Sequence, residues 1–301
     1  MSEAIADLLA ALPAPTALVC GAGGLNATAQ AGMLAALGPW RPDLGIGSSG
    51  GAVTTACLTA DDAAEFARDC WTRIAASGLT EFGWTRLTGA VTGREQSRLG
   101  KQWRALFHEL FGDRRWPDDG RLSVVATNVT TGRAAMMSTG LIAESLIAAT
   151  AFPVLAPPVE RGGDILVDGG FAAPLPVLPA VAAGAASIVA LDTGRADADA
   201  EPVAPTRWYD VVLASMQHQM AANAAHDVAV AAAQVPVLLL SVPDPFRVRW
   251  SELPMRISMG ERSAVQQLEE LAARRPRFDV PGVYTAAAQV RADRRLAELL
   301  R

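Results

Sequence analysis

Short apolar runs, each bounded by glycine, proline or a polar turn, punctuate the chain and predict buried strands. "TALVC" (16–20) stands between Pro15 and the glycine loop "GAGGLN", and "DLGIGSS" (43–49) is a second run. "RLSVVATNV" (121–129) and "RAAMMST" (133–139) flank the turn "TTG" as a hairpin. "DILVDGG" (164–170), "SIVALDT" (187–193) and "PVLLLSV" (236–242) complete the set. Helical segments lie between them. "ATAQAGMLAALG" is stopped by Gly38-Pro39, "GGAVTTACLTA" (50–60) leads off two glycines, and "DDAAEFARDCWTRIAAS" (61–77) is amphipathic behind an acidic cap. Further helices are predicted over 141–153, ended by Pro153, and over about 207–233, 260–275 and 281–300. Residues 78–120, with Trp84, Trp103 and Trp116, predict an irregular helical insertion over one end of the sheet. Strands alternating with helices imply an α/β fold, with a mostly parallel sheet covered on both faces. The polar, proline-punctuated "RADADAEPVAP" (195–205) is the expected mobile loop.

Composition narrows the class. The chain has 301 residues, half of them hydrophobic, enough for one large domain with a buried core. Its net charge of -5 and scattered arginines do not provide the clustered cations that nucleic acid requires. Cys20, Cys57 and Cys70 fit neither a zinc spacing nor a disulfide framework and read as buried thiols. The N-terminal segment lacks a basic n-region and reads as a short helix ending near Pro13 rather than a signal peptide. With no transmembrane run either, the expected location is the cytoplasm.

Three glycine-bearing turns carry the candidate chemistry. In "LGIGSSGGAV" (44–53), Gly47, Ser49 and Gly51 have G-x-S-x-G spacing between a strand and a helix. That turn lifts the central hydroxyl above the sheet end, and the helix N-terminus favours an alkoxide there. The same spacing also suits a plain small-residue turn. "CGAGGLN" (20–26) offers backbone N–H groups to an oxyanion or a phosphate. Nucleotide binding is disfavoured, because no phosphate-loop lysine follows and Asn26 stands where a dinucleotide fingerprint wants glycine. "ILVDGGFAAPLPV" (165–177) puts Asp168 at a strand end before Gly169 and Gly170; an ordinary Asp-Gly turn reads the same way. A serine nucleophile usually needs a histidine base, yet the chain has three, at 108, 218 and 226, and all read as surface or packing residues.

Taken in order, the three turns resemble the patatin-like phospholipase family over residues 15–193. "GGLNATAQAGMLAAL", "LSVVATNVTTGRAAMMSTG" and "IAATAFPVLAPPV" are similar to its loop and first helix, its central hairpin and its approach to the aspartate. The resemblance implies a patatin-like three-layer fold, with residues 1–301 as one domain and a helical C-terminal part from about 200. It implies a serine acyl hydrolase acting on a lipid ester without metal or cofactor. Ser49 would be the nucleophile, Asp168 its base, and the N–H groups of Gly23, Gly24 and Leu25 the oxyanion hole. Ser48, one position earlier, would face elsewhere. A carboxylate serves as such a base only if burial raises its pKa. The expected partner is an acyl ester or lipid, with any membrane contact transient and the oligomeric state open.

Departures from the family pattern bear on substrate. The family's loop runs G-G-G-x-[RK]-G, whereas Ala22, Asn26 and Ala27 stand here in place of two glycines and the cation. Pro174 replaces the usual asparagine after the aspartate. A loop without a cation invites phospholipid headgroups less. The tryptophan-bearing insertion is a candidate acyl-chain groove, or simply core packing. Two other readings remain: an acyltransferase or thioesterase acting on a carrier-bound chain, and a non-catalytic scaffold that keeps the fold.

Overall fold

The computed structural model describes residues 1–79, 94–153, 156–194, 208–242 and 252–286. Trp84, the 195–205 loop and the chain after 286 lie outside the described residues. The first part of the chain holds α1 (Glu3–Ala10), β1 (Thr16–Cys20), a 3-10 turn (Gly24–Thr28), α2 (Ala29–Leu37), β2 (Leu44–Ser48), α3 (Gly50–Cys57), α4 (Ala63–Ala76) and α5 (Arg94–Phe111). Next come β3 (Leu122–Asn128), β4 (Arg133–Met137), α6 (Ile142–Ala149), β5 (Val159–Arg161), β6 (Asp164–Asp168), a 3-10 turn (Gly169–Phe171), α7 (Val177–Ala182) and β7 (Ser187–Asp192). The last part adds α8 (Trp208–Ala232), β8 (Pro236–Ser241), α9 (Leu253–Arg274) and β9 (Gly282–Tyr284).

Among the described residues these strands form one nine-stranded sheet, ordered β5-β6-β3-β2-β1-β7-β8-β9 with β4 beside β3. The central strands are parallel, and β4, β5 and β6 are antiparallel to their neighbours. Both faces are covered, so the central strands are buried at nearly every position and read as largely apolar runs rather than alternating ones. Leu18, Cys20, Val189, Leu191, Leu238 and Leu240 face a core shared with α1 to α6 and α9. Their neighbours Ala17, Val19, Ile188, Ala190, Val237 and Leu239 face a second core with α7 and α8. The result is three layers.

Several sequence expectations change in detail. The helix expected over 141–153 stops at Ala149, because Thr150 turns the chain toward Ala151, whose carbonyl accepts the Asp168 N–H at 3.0 Å. Residues 282–284, expected in a helix, form β9 and pair with Pro236–Leu238 of β8. The preceding helix begins at Leu253 rather than near 260, with Pro254 in its first turn, where its missing N–H costs nothing. Of the insertion's tryptophans, Trp116 is buried and donates its indole N–H to Ser145 Oγ at 3.0 Å. Trp103 stacks on Phe107 with centroids 5.3 Å apart. Both pack on the core rather than open a groove.

Candidate active site

Ser49 sits on the turn from β2 into α3 with φ 53° and ψ -125°, a conformation that costs a β-carbon-bearing residue about 1–3 kcal/mol. The flanking glycines are required by contact. A Cβ at Gly47 would lie 2.4 Å from the Gly51 carbonyl oxygen, and one at Gly51 2.2 Å from that of Cys20. The G-x-S-x-G spacing is therefore what lets α3 start directly against the end of β1.

Sheet register brings the aspartate to this turn. β2 pairs with β3 as far as Ser48 opposite Val125. β6 pairs with β3 from Leu166 opposite Asn128 to Asp168 opposite Ala126. β4 occupies β3 along Val124–Asn128, overlapping both, so β2 and β6 share the other edge. They run toward each other along it and meet end to end. Asp168 thus reaches the C-terminal rim of the parallel strands on an antiparallel strand, which the sequence did not reveal.

The side chains meet there. Ser49 Oγ donates to Asp168 Oδ2 at 2.7 Å, and the Gly170 N–H donates to Oδ1 at 2.8 Å. Thr127 Oγ1 donates to the Asp168 carbonyl at 2.8 Å, fixing the main chain from β3. Asp168 is 2% exposed and Ser49 8%. Burial pushes the Asp168 carboxyl up to about 6, against the opposing pull of the Ser49 hydroxyl and Gly170 N–H. Gly169 packs so close to β3 that a Cβ would lie 2.1 Å from the Val125 carbonyl oxygen. Ser48 is fully buried beneath it and makes no hydrogen bond to Asp168. Among the described residues no histidine hydrogen-bonds Ser49: His218 and His226 are exposed on α8, and His108 Nε2 lies 2.9 Å from Glu144 Oε1.

The glycine loop is anchored at its start. The Gly21 N–H donates to the Leu191 carbonyl at 3.0 Å and the Ala22 N–H to that of Pro174 at 2.6 Å. Pro174 therefore serves through its carbonyl, a contact the family's asparagine would make equally well. Buried Gln30, on α2, donates to the Gly21 carbonyl at 2.8 Å and to that of Leu191 at 3.2 Å. Gly24 takes φ +52° with open space where a side chain would stand. Among the described residues the N–H groups of Gly23, Gly24 and Leu25 have no protein acceptor. Ala27, buried, rests over Gly50, where a Cβ would lie 2.6 Å from its methyl.

Three contributors escaped the sequence reading. Thr127 and Gln30 carry only weak signals, a hydroxyl and an amide among buried apolar positions. The third corrects an expectation. The loop does have a cation nearby, because Arg256 of α9 donates from Nη2 to Asn26 Oδ1 at 2.6 Å. It is buried behind the loop, 3% exposed, rather than at the mouth. Phe152 and Phe171 stack on each other with centroids 5.4 Å apart, and Met220 of α8 covers Gly170.

A mostly parallel sheet with helices on both faces and a serine at a strained strand-to-helix turn defines a three-layer α/β protein. A family model described as patatin-like phospholipase matches residues 18–181, and the chain belongs to that family. It is similar to two curated proteins named lysophospholipase NTE1, from Candida glabrata and Saccharomyces cerevisiae. Each is 33% identical over 120 residues, or 40% of this chain. That stretch spans 6% of the Candida protein and 7% of the Saccharomyces one. Among solved structures, VipD from Legionella pneumophila matches with a TM-score of 0.45 and 14% identity, over 85% of this chain and 67% of the other.

Proposed function

We propose that the protein is a serine acyl hydrolase that cleaves a carboxylic ester of a lipid through a Ser49–Asp168 dyad. The observation that carries this reading is the 2.7 Å hydrogen bond from Ser49 Oγ to a buried carboxylate. Ionised Asp168 accepts the Ser49 proton as Oγ attacks the acyl carbon. The carbonyl electron pair moves onto oxygen, where the N–H groups of Gly23, Gly24 and Leu25 stabilise it. Collapse breaks the ester C–O bond, and Asp168 passes its proton to the departing alcohol. Water then attacks the acyl-enzyme with Asp168 again as base, releasing the acid and restoring the serine.

Two observations support a lipid substrate. The chain belongs to a phospholipase family, and its curated relatives carry the name lysophospholipase. Phe152, Phe171 and Met220 also place apolar side chains beside the Asp168 turn, a setting suited to an acyl chain. Among the described residues no helix is long and apolar enough to cross a membrane.

The test uses a fluorophosphonate probe and a panel of esters varied in chain length and headgroup. Wild type is expected to label and to hydrolyse at least one lipid ester. Ser49→Ala should do neither, and Asp168→Asn should lose about a thousandfold or more in kcat. An unlabelled wild type would favour a silent scaffold; labelled Ser49→Ala would move the nucleophile elsewhere.

A further inference from the structure

Arg256 is an expensive residue to bury, since a guanidinium keeps its charge under all ordinary conditions and needs acceptors in place of water. Its position follows from two glycines. α9 crosses α2 with backbones in contact: a Cβ at Gly260 would lie 2.0 Å from the Ala29 carbonyl oxygen, and one at Gly32 1.9 Å from that of Ile257. Ala29 opens α2 directly after the glycine loop, and Ile257 follows Arg256. The close crossing thus sets the guanidinium against the loop, where Nη2 reaches Asn26 Oδ1 at 2.6 Å. The N–H of Asn26 in turn donates to the Gly23 carbonyl at 2.9 Å. On its other side the loop leans on α3, because a Cβ at Gly50 would lie 2.8 Å from the Gly24 carbonyl oxygen. Arg256, Asn26, the Gly23–Leu25 amides and the residue after Ser49 form one continuous train of contacts.

We propose that Arg256 is a positioning residue for the proposed oxyanion hole: through Asn26 it holds the amides of Gly23, Gly24 and Leu25 on the oxyanion and places a fixed positive charge behind them. This rests on the hydrolase reading above. A 2.6 Å charge-assisted bond is strong and directional, so it fixes the Asn26 side chain and the turn that side chain belongs to. Preorganised dipoles cost no reorganisation as charge develops, and small displacements of such groups are expensive in rate. The contribution falls on the transition state, because the amides bind a charge the ground-state ester lacks.

The experiment compares wild type, Arg256→Met, Arg256→Lys, Asn26→Ala and the Met/Ala double variant on one ester the wild type hydrolyses. Active sites are counted by fluorophosphonate titration, and melting temperature is followed in parallel. Arg256→Met is expected to lower kcat per labelled site about tenfold to a hundredfold, with KM within about twofold, and to slow labelling by a similar factor. Arg256→Lys, which keeps the charge, should recover most of that loss. The double variant should be no slower than Arg256→Met, since both changes break one link. A purely structural role would lower the melting temperature and the labelled fraction but not kcat per labelled site. That result overturns the inference, as do a lysine variant no better than methionine and losses that multiply in the double variant. If Arg256→Met does not fold, Asn26→Ala carries the test from the loop side, and an unchanged kcat there overturns the inference. A wild type that neither labels nor turns over defeats the hydrolase reading instead, so the two failures are distinct.

Discussion

Ser49 and Asp168 are each unfavourable alone. One holds a backbone conformation that side chains avoid, and the other keeps a carboxylate out of water. Their hydrogen bond offsets part of both costs. The unfolded chain releases the Asp168 proton near 3.8, whereas the folded protein keeps it to about 6. Between those values the folded state binds more protons, so ionising this group lowers stability as pH rises, and the full penalty is present above about 6. Asp168→Asn removes the penalty. Its stability relative to wild type is expected to climb between pH 4 and pH 6.5 by on the order of 2 kcal/mol and then level off. Urea unfolding of both proteins at those two pH values measures it, and an equal difference at both would contradict the raised pKa. The same titration should give kcat/KM of the wild type an acid limb near pH 6, below which Asp168 is protonated and cannot accept from Ser49.

At the scale of elements, local backbone rules were legible in the sequence and long-range juxtapositions were not. The turns at 47–51 and 168–170 were readable because main-chain collisions at Gly47, Gly51 and Gly169 demand glycine there. The edge that β2 and β6 share on β3 left no local trace, since it depends on β4 taking the opposite edge. Gly282-Val283-Tyr284 became a strand because β8 offered it an open edge, which overrides a weak helical pattern further along. Gly260 was read as a helix boundary, yet it lies inside α9 and marks the point of closest approach to α2. Asn26 looked like a lost charge because its cation comes from a helix far along the chain. Gly260→Ala is expected to force α9 off α2, costing about 2 kcal/mol or more in urea unfolding, since the Cβ would meet a carbonyl oxygen rather than a side chain that can swing away. It should also lower kcat, as Arg256 retreats from Asn26. A variant with wild-type stability would show that the crossing has slack.

At the scale of the whole molecule, the family match ends at residue 181, yet the structure around the site does not. β8 and β9 extend the sheet past β7, α8 lays Met220 over Gly170, and α9 delivers Arg256 to the loop. We propose that residues 1–301 form one domain whose last third completes the site. Without that third, β7 becomes a bare edge, and Leu191 and Val189 lose Leu240 and Leu238 from the adjoining strand. A bare apolar edge invites association. α1 and α2 would also lose Ile257, Ala264, Leu268 and Leu271 from their shared core. Burial of each such leucine or isoleucine contributes about 1.5–3 kcal/mol, so the loss exceeds the whole stability of an ordinary domain once the rest of α8 and α9 is counted. A chain cut after Gly194 is therefore expected to unfold without a cooperative transition, to aggregate, and to resist fluorophosphonate labelling even though Ser49, Asp168 and the glycine loop are all present. Urea titration and labelling against the full chain measure this. A cut chain that melts sharply and labels at the full rate would show instead that the first two thirds stand alone, and that α8 and α9 merely decorate them.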